Sequence, residues 1–205
     1  MSTSNTKREQ EPARPGRPPR LSRETVVAAA LALADREGVE ALSMRRLAAE
    51  LGCGVMTLYG HVRDRDDLLS GVVGLLIAEI DTRHVPGESW PDAVRRSAAS
   101  YWAMALRHPR AFPALALASS SDPELRAHLR RIVAALVAAG LTEQAARELF
   151  SVLDSFASGF LLMELSDPDE PSAEGEPLEP VDEQAYVRGL ELIIAGADRV
   201  LIGGK

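Results

Sequence analysis

The helical spacing of its apolar residues is the feature that most restricts the fold of this 205-residue chain. After Leu21, apolar side chains recur three or four positions apart, at Val26, Ala29, Ala30, Leu33 and Ala34. The C-terminal segment repeats the spacing at Leu190, Ile193, Ile194, Ala197, Val200 and Leu201. No segment alternates apolar and polar residues as a half-buried strand does. The sequence therefore predicts an all-α fold.

The composition is that of a globular protein with very little cysteine. Hydrophobic residues make up 46% of the chain, which is enough for a core. The single cysteine, Cys53, excludes an internal disulfide framework and fits a reducing compartment. The polar N-terminus has no secretory-signal pattern, and no apolar run approaches the about 20 residues that cross a bilayer. We therefore expect a cytoplasmic protein with no membrane partner.

The negative charge is concentrated in the C-terminal two thirds of the chain. The net charge is −7, yet residues 1–67 carry 11 Lys and Arg against 10 Asp and Glu. Residues 68–205 carry 12 basic against 20 acidic residues. Because salt screens charges more than about 10 Å apart, the acidic remainder does not exclude DNA binding by the first part.

Composition also predicts a division into three parts. Residues 1–20 are rich in Pro and Arg and poor in apolar side chains, which predicts a disordered arm. Residues 21–67 contain three short helical patterns, and we interpret them as a small DNA-binding domain. Residues 68–205 contain longer helical patterns, interrupted at 166–184 by a segment of acidic residues and prolines that predicts a solvated loop.

A helix-turn-helix is the most specific motif of the small domain. Ser43 and Gly52 mark the ends of one short helix, and a second short helix follows Gly54. Two short helices joined by a tight turn are typical of this motif, whose second helix enters the major groove. Four apolar residues have the spacing to pack these helices together: Leu47, Ala48, Leu51 and Leu58. The second helix then directs hydroxyl, imidazole and thioether groups outward, which predicts double-stranded DNA as the partner.

Residues 43–69, SMRRLAAELGCGVMTLYGHVRDRDDLL, resemble the DNA-binding domain of the tetracycline repressor (TetR) family. The recognition helix of that family carries TLY-x-HV, followed by a basic residue and LL. GESW-x-D at 87–92 and GLELII-x-G at 189–196 resemble the tetracycline-repressor subgroup, so the likeness covers most of the chain. The resemblance implies a homodimeric transcriptional regulator, a repressor that leaves its operator when it binds a small-molecule effector.

The resemblance implies a role for seven side chains of the motif. Arg45 would contact a base edge or a phosphate, and Val55 and Met56 would meet base edges, mainly thymine methyl groups. Phosphate contacts would come from Thr57, Tyr59, His61 and Arg65. The chain departs from the subgroup at Gly60, where an aromatic residue is frequent, and this departure leaves the operator sequence open.

The arm allows two interpretations. Its segment RPGRPPR has the composition of arms that lie in a narrow, A·T-rich minor groove. A solubilising tail has the same composition.

For the larger domain, the resemblance implies a ligand pocket and a dimer. The helix over 65–83 would connect the pocket to the DNA-binding domain, and the last two helices would pair with their copies in a four-helix bundle. An apolar, aromatic set with a few polar groups is typical of ligand sites. The candidates are Tyr101, Trp102, Met104, His108, Phe112, Leu115 and Met163.

The tetracycline–Mg²⁺ complex is not the expected effector. By alignment from GESW, Leu115 stands where the tetracycline repressor has its metal-binding histidine, and Ser97 stands where it has a drug-binding asparagine. A leucine cannot bind a hard cation. We expect no metal and no cofactor.

The same residues bear on other functions. An activator has the same sequence features as a repressor. Cys53, in the turn of the motif, would suit a thiol-based redox regulator. The four histidines lack metal-ligand spacing and no glycine-rich phosphate loop is present, so an enzyme is not expected. A helical interaction protein with an inactive motif is disfavoured because the phosphate donors are present.

Overall fold

The computed structural model describes residues 21–165 and 183–202, and within these ranges it contains helices and turns but no strand. The all-α prediction is confirmed. The predicted arm, residues 1–20, lies outside the described residues. So does the predicted acidic loop, except for Glu183 and Gln184, which form the start of the last helix.

Nine α-helices are found in the described residues. They are α1 (Arg23–Glu37), α2 (Met44–Glu50), α3 (Val55–Leu58), α4 (Arg65–Ala78), α5 (Trp90–Arg107), α6 (Phe112–Ala116), α7 (Pro123–Ala138), α8 (Glu143–Glu164) and α9 (Glu183–Ala197). A 3₁₀ turn at Val39–Ala41 separates α1 from α2, and a π-helical turn at Asp198–Ile202 follows α9.

Helix starts are set by side-chain caps, as the sequence predicts. Ser22, Ser43, Ser89 and Asp122 each accept a hydrogen bond from a backbone N–H of the first turn of the helix that follows. Such caps satisfy N–H groups that have no partner within the helix. The predicted helix start at Ser43 is therefore confirmed, and Ser22, Ser89 and Asp122 play the same role.

The fourth helix is shorter than predicted. It ends at Ala78 instead of reaching residue 83. The chain beyond it is held by α5, because Arg96 donates to the carbonyl oxygens of Asp81 and Arg83, at 2.9 Å each. The backbone N–H of Asp81 also donates to Ser100 Oγ at 2.8 Å. These bonds satisfy backbone groups outside the helix and favour a loop over another helical turn.

One hydrophobic core links the first helices to the rest of the molecule. It joins buried residues of α1 and α2 to α4 and continues to α5, α6, α8 and α9. A second cluster fills the space between α5, α7, α8 and α9. Helix α4 crosses the predicted domain boundary at residue 67 and packs on α1, α6 and α7. The boundary itself stays a prediction.

The apolar stripe of α9 has a different partner from the one predicted. Leu190, Ile194 and Ala197 are buried in the core of this same chain, where they pack with α5, α7 and α8. They are therefore unavailable as the dimer face. Val200, from the same stripe, is 74% exposed.

The contact between α1 and α4 depends on a glycine. A Cβ atom at Gly71 would lie 2.7 Å from Val27 Cγ2, whereas a Cβ at Gly74 would meet only the flexible side chain of Glu124, at 3.2 Å or more. Val27 is buried and β-branched, so it has little freedom to move.

We predict that Gly71→Ala lowers the free energy of unfolding by about 1–3 kcal/mol, because the added methyl group overpacks this contact. Gly74→Ala in the same helix gains the same helix propensity and displaces only a flexible side chain, so it should not lower stability. Urea denaturation of both variants checks this. Equal effects of the two substitutions would contradict the packing argument.

Candidate functional site

The helix-turn-helix is built by α2, a four-residue turn and α3. Gly52 has φ of +61°, the left-handed conformation that a tight helix end requires. The N–H of Cys53 donates to the carbonyl oxygen of Ala48 at 3.0 Å, which folds the turn back on α2. Leu47 and Leu58 are fully buried, so each helix contributes one anchor to the shared core. Helix α3 is a single turn, and Tyr59 to Val62 continue it as overlapping turns.

The ends of this small unit are tied together by one carboxylate. Arg23, at the start of α1, donates Nη1 and Nη2 to the two oxygens of Asp67 in α4, each at 2.9 Å. The backbone N–H of Arg63 donates to the same carboxylate at 2.9 Å. The guanidinium of Arg23 holds the pKa of Asp67 below its usual value. These bonds fix the first turn of α1 against the first turn of α4.

Most of the predicted DNA-contacting side chains lie on the outer surface of the motif. Met56 is 80% exposed and Tyr59 is 46% exposed, both unusual for large apolar or aromatic residues. Arg45 and Thr57 are also exposed, whereas His61 is partly buried. Val55 is partly buried too and packs against the core, which limits its contact with a base edge.

Arg45 and Arg46 are neighbours with different environments. Arg46 pairs with Glu37 and, at 3.2 Å, with Glu50, which also pairs with Arg36. Arg45 makes no ion pair with any residue of the described ranges. Its charge is therefore available to a partner outside the protein.

The structure gives Arg65 a role different from the predicted phosphate contact. Its Nε donates to the carbonyl oxygen of Leu42 at 2.9 Å, and its Nη2 donates to that of Val39 at 3.2 Å. The guanidinium thus binds the backbone that joins α1 to α2. Arg65 therefore positions the motif, and its phosphate contact stays a prediction.

Cys53 is partly buried in the turn and packs against the core. This position gives it the role of a small turn residue. Nothing in its surroundings favours the redox interpretation.

A cavity opens between the loop after α4 and helices α5, α7, α8 and α9. Its volume is about 100 Å³, and it is partly open to solvent. Most of its wall is apolar, which suits a small organic ligand. The polar residues of the wall are Asp81, Thr82, Arg83, Arg96, Ser97, Tyr101, His128, Asp154 and Tyr186.

Only one of the seven predicted ligand residues, Tyr101, lines this cavity. Trp102 is buried against Tyr186, with ring centroids 4.8 Å apart. Met163 lies on the outer surface and is 62% exposed. Three others belong to the core that joins α4 to the larger part of the chain: Met104, Phe112 and Leu115. We therefore correct the predicted set: packing within the chain uses Trp102, Met104, Phe112 and Leu115, whereas Met163 faces outward and does not line the cavity.

His108, the remaining candidate, bridges α1 to the body. Its Nδ1 is 2.9 Å from Oδ2 of Asp35 in α1, and its Nε2 is 3.0 Å from Oε1 of Glu79, just after α4. A ring nitrogen donates only when it carries a proton, so both contacts are hydrogen bonds at once only in the imidazolium form. Arg107 also pairs with Glu79. His108 thus connects α1 to the body and does not line the cavity.

Two cavity residues, His128 and Asp154, were missed by the sequence analysis. Burial lowers the pKa of His128 to about 4, so the ring is neutral near pH 7. Its Nδ1 is buried and has no hydrogen-bond partner among the described residues. The local sequence does not indicate that either residue lines a cavity, because a polar residue on a helix is normally exposed to solvent. Ser97, singled out by alignment with the drug-binding asparagine, does line the cavity.

Comparison with known proteins identifies the family. The model of bacterial regulatory proteins of the tetR family matches residues 26–72. A helix-turn-helix transcriptional regulator of Mycobacterium tuberculosis is 36% identical over 164 residues, which cover 73% of each chain. The class E tetracycline repressor protein of Escherichia coli is 31% identical over 147 residues, 71% of this chain and 69% of that one. This chain belongs to the TetR family.

The fold of this TetR-family regulator also matches solved structures. The TetR family protein ActR of Streptomyces coelicolor, in complex with actinorhodin, superposes with a TM-score of 0.76 and 26% identity. The match covers 91% of this chain and 100% of that one. One further curated relative is matched over only 52% of its own length. The protein is thus a transcriptional regulator with a helix-turn-helix DNA-binding domain.

Two further observations bear on the partners of the TetR-family regulator. In the described ranges, no group of three or more His, Cys, Asp or Glu side chains is placed to hold a metal ion. No helix there is long and apolar enough to cross a membrane.

We predict that His108→Ala lowers the free energy of unfolding by about 1–3 kcal/mol, because it leaves the partly buried carboxylates of Asp35 and Glu79 without this partner. His84→Ala is the control, since His84 is exposed and should change stability by less than about 0.5 kcal/mol. Urea denaturation measures both. A His108→Ala variant as stable as the control would contradict the bridge.

A second prediction concerns pH. The unfolded chain protonates His128 near its ordinary pKa of 6.5, whereas the folded protein does so only near 4. Between these values the unfolded state binds more protons, so the free energy of unfolding falls as pH drops through this window. The slope from this residue reaches at most about 1.4 kcal/mol per pH unit. Urea denaturation from pH 7 to 4.5 should give a smaller slope for His128→Gln than for His84→Gln, and equal slopes would refute the assignment.

Proposed function

We propose that this protein is a homodimeric, cytoplasmic transcriptional repressor that binds a palindromic operator and is released by a small-molecule effector. The observation that carries the proposal is the exposed surface of the helix-turn-helix. This surface carries the exposed side chains of Arg45, Met56, Thr57 and Tyr59, which have no partner among the described residues. Exposure of the apolar parts of Met56 and Tyr59 to water is unfavourable in free energy. A DNA groove offers the phosphates, base edges and thymine methyl groups that such side chains bind.

Exposed apolar side chains on the last two helices support the dimer. Val152 and Met163 on α8, and Val187 and Leu192 on α9, are 45–75% exposed. A Cβ atom at Gly159 in α8 would meet nothing within 4 Å, so a second helix can approach closely there. Pairing of these faces in two copies gives two-fold symmetry, which matches a palindromic operator with half-sites about 34–36 Å apart or more.

The cavity is placed to control the spacing of the two reading motifs. Ile80 to Arg83 line it, directly after α4, and α4 packs on α1 of the DNA-binding part. An effector that fits best when this loop moves would shift α4 and the motif with it. Only a few kcal/mol of differential affinity between the two states is needed to release DNA.

The named relatives support a small organic effector. One is a tetracycline repressor protein, and ActR was solved with actinorhodin. The tetracycline–Mg²⁺ complex is disfavoured here, because Leu115 offers no metal ligand and is buried in the core. Relatives of this chain are regulators, and we propose no catalytic activity for it.

The first test is binding of the purified protein to DNA upstream of its own gene, measured by fluorescence anisotropy at two salt concentrations. Specific binding that weakens with salt and is lost in Tyr59→Ala supports the proposal. If neither this DNA nor a selected library of genome fragments binds, the proposal is overturned.

Arg45 and Arg46 provide a matched pair of variants for the same assay. Arg45→Ala removes a free exposed charge and should weaken operator binding about tenfold or more. Arg46→Ala removes a charge that two glutamates already compensate, and its effect should be clearly smaller. Thermal denaturation checks that both variants are folded. A larger loss for Arg46→Ala would contradict the proposed interface.

A further inference from the structure

The charges around the cavity are unequally compensated. Arg96 donates to Glu88 at 2.7 and 2.9 Å and to Asp81 at 2.7 Å, and Arg83 lies 3.2 Å from Asp81. Both cationic residues of the wall are therefore paired with carboxylates. An anionic ligand would have to displace one of these pairs to gain a cation of its own.

One carboxylate of the wall, Asp154, has no ion-pair or hydrogen-bond partner among the described residues. It lies on α8 between Phe150 and Ala157, which are one turn away on either side and also line the cavity. Asp154 is at the solvent-accessible edge, yet its apolar neighbours desolvate the carboxyl enough to raise its pKa. A nearby cation would stabilise the ionised form of such a group.

The buried imidazole of the wall, His128, does not supply the missing positive charge. The side chain is buried in α7 with only 5% of the residue exposed, and its ring is neutral near pH 7 because burial disfavours the charged form. The buried Nδ1 still lacks a described partner. The cavity thus offers an uncompensated carboxylate and a neutral imidazole, but no free cation.

The apolar part of the wall includes aromatic rings. Tyr101, Phe150 and Tyr186 line the cavity. The hydroxyl of Tyr101 is already hydrogen-bonded to Ser158 Oγ at 2.8 Å, and that of Tyr186 donates to the carbonyl oxygen of Ala98. Ring faces attract organic cations, particularly where water is excluded.

We propose that the cavity selects an apolar organic cation, whose charge is held by Asp154 and whose body packs against the aromatic and aliphatic wall. This inference rests on the proposed function, because it names the chemical class of the effector.

Two monovalent aromatic ions of similar size and opposite charge test the charge selectivity directly: phenyltrimethylammonium and benzenesulfonate. Isothermal titration of each into the full-length protein, without DNA, should show the cation binding about tenfold or more tightly than the anion, a preference of about 1.4 kcal/mol. Equal affinities, tighter binding of the sulfonate, or no binding of the cation would each overturn the proposal.

Two variants locate the charge that is responsible. Asp154→Asn should abolish most of the preference for the cation while keeping the shape of the wall. Glu148→Gln is the matched control, because Glu148 is exposed on the same helix and does not line the cavity. A preference unchanged in Asp154→Asn, or lost equally in the control, would refute the role of Asp154.

The titration is independent of operator binding, so the two proposals fail separately. If the cation binds as expected but the protein binds no DNA, the repressor function fails and the cavity chemistry stands. If DNA binds and the cation does not, the effector class is wrong and the repressor function stands.

Discussion

The packing of α4 is the constraint on which the rest of the structure depends. Val72, Val73 and Leu76 of this helix are buried in the core that also contains Val27 of α1 and Phe112 of α6. At Gly71 there is no space for a side chain between α4 and Val27. The helix therefore belongs to the DNA-binding part and to the body at once, and a close-packed contact transmits displacement better than it absorbs it.

Hydrogen bonds and ion pairs at both ends of α4 reinforce its packing against α1. The pair of Arg23 with Asp67 fixes its N-terminal end to the start of α1, while His108 joins Glu79 at its C-terminal end to Asp35 near the end of α1. The two helices are thus clamped along their length. A displacement of α4 would therefore move α1 with it or break one of these contacts.

Sequence information was sufficient where structure depends on near neighbours in the chain. Ser22 and Ser43 cap helices that begin at the next residue, and Leu47 and Leu58 pack helices separated by one turn. The cavity was predicted poorly, because its wall is assembled from five segments far apart in the chain. Trp102 and Phe112 are aromatic, as many ligand-binding residues are, but both are used for packing in the core. The sequence does not distinguish Asp154 from a solvated acid, because the cavity beside it forms only when α7 and α9 pack near α8.

Charge within the DNA-binding part is nearly balanced. Residues 1–67 carry 11 basic and 10 acidic residues. Within the small part, Arg46 and Arg23 are neutralised by carboxylates of the same chain. Among the described residues, Arg45 keeps its charge without a carboxylate partner, so under the proposed function it is the cation that this surface offers to a phosphate or a base edge.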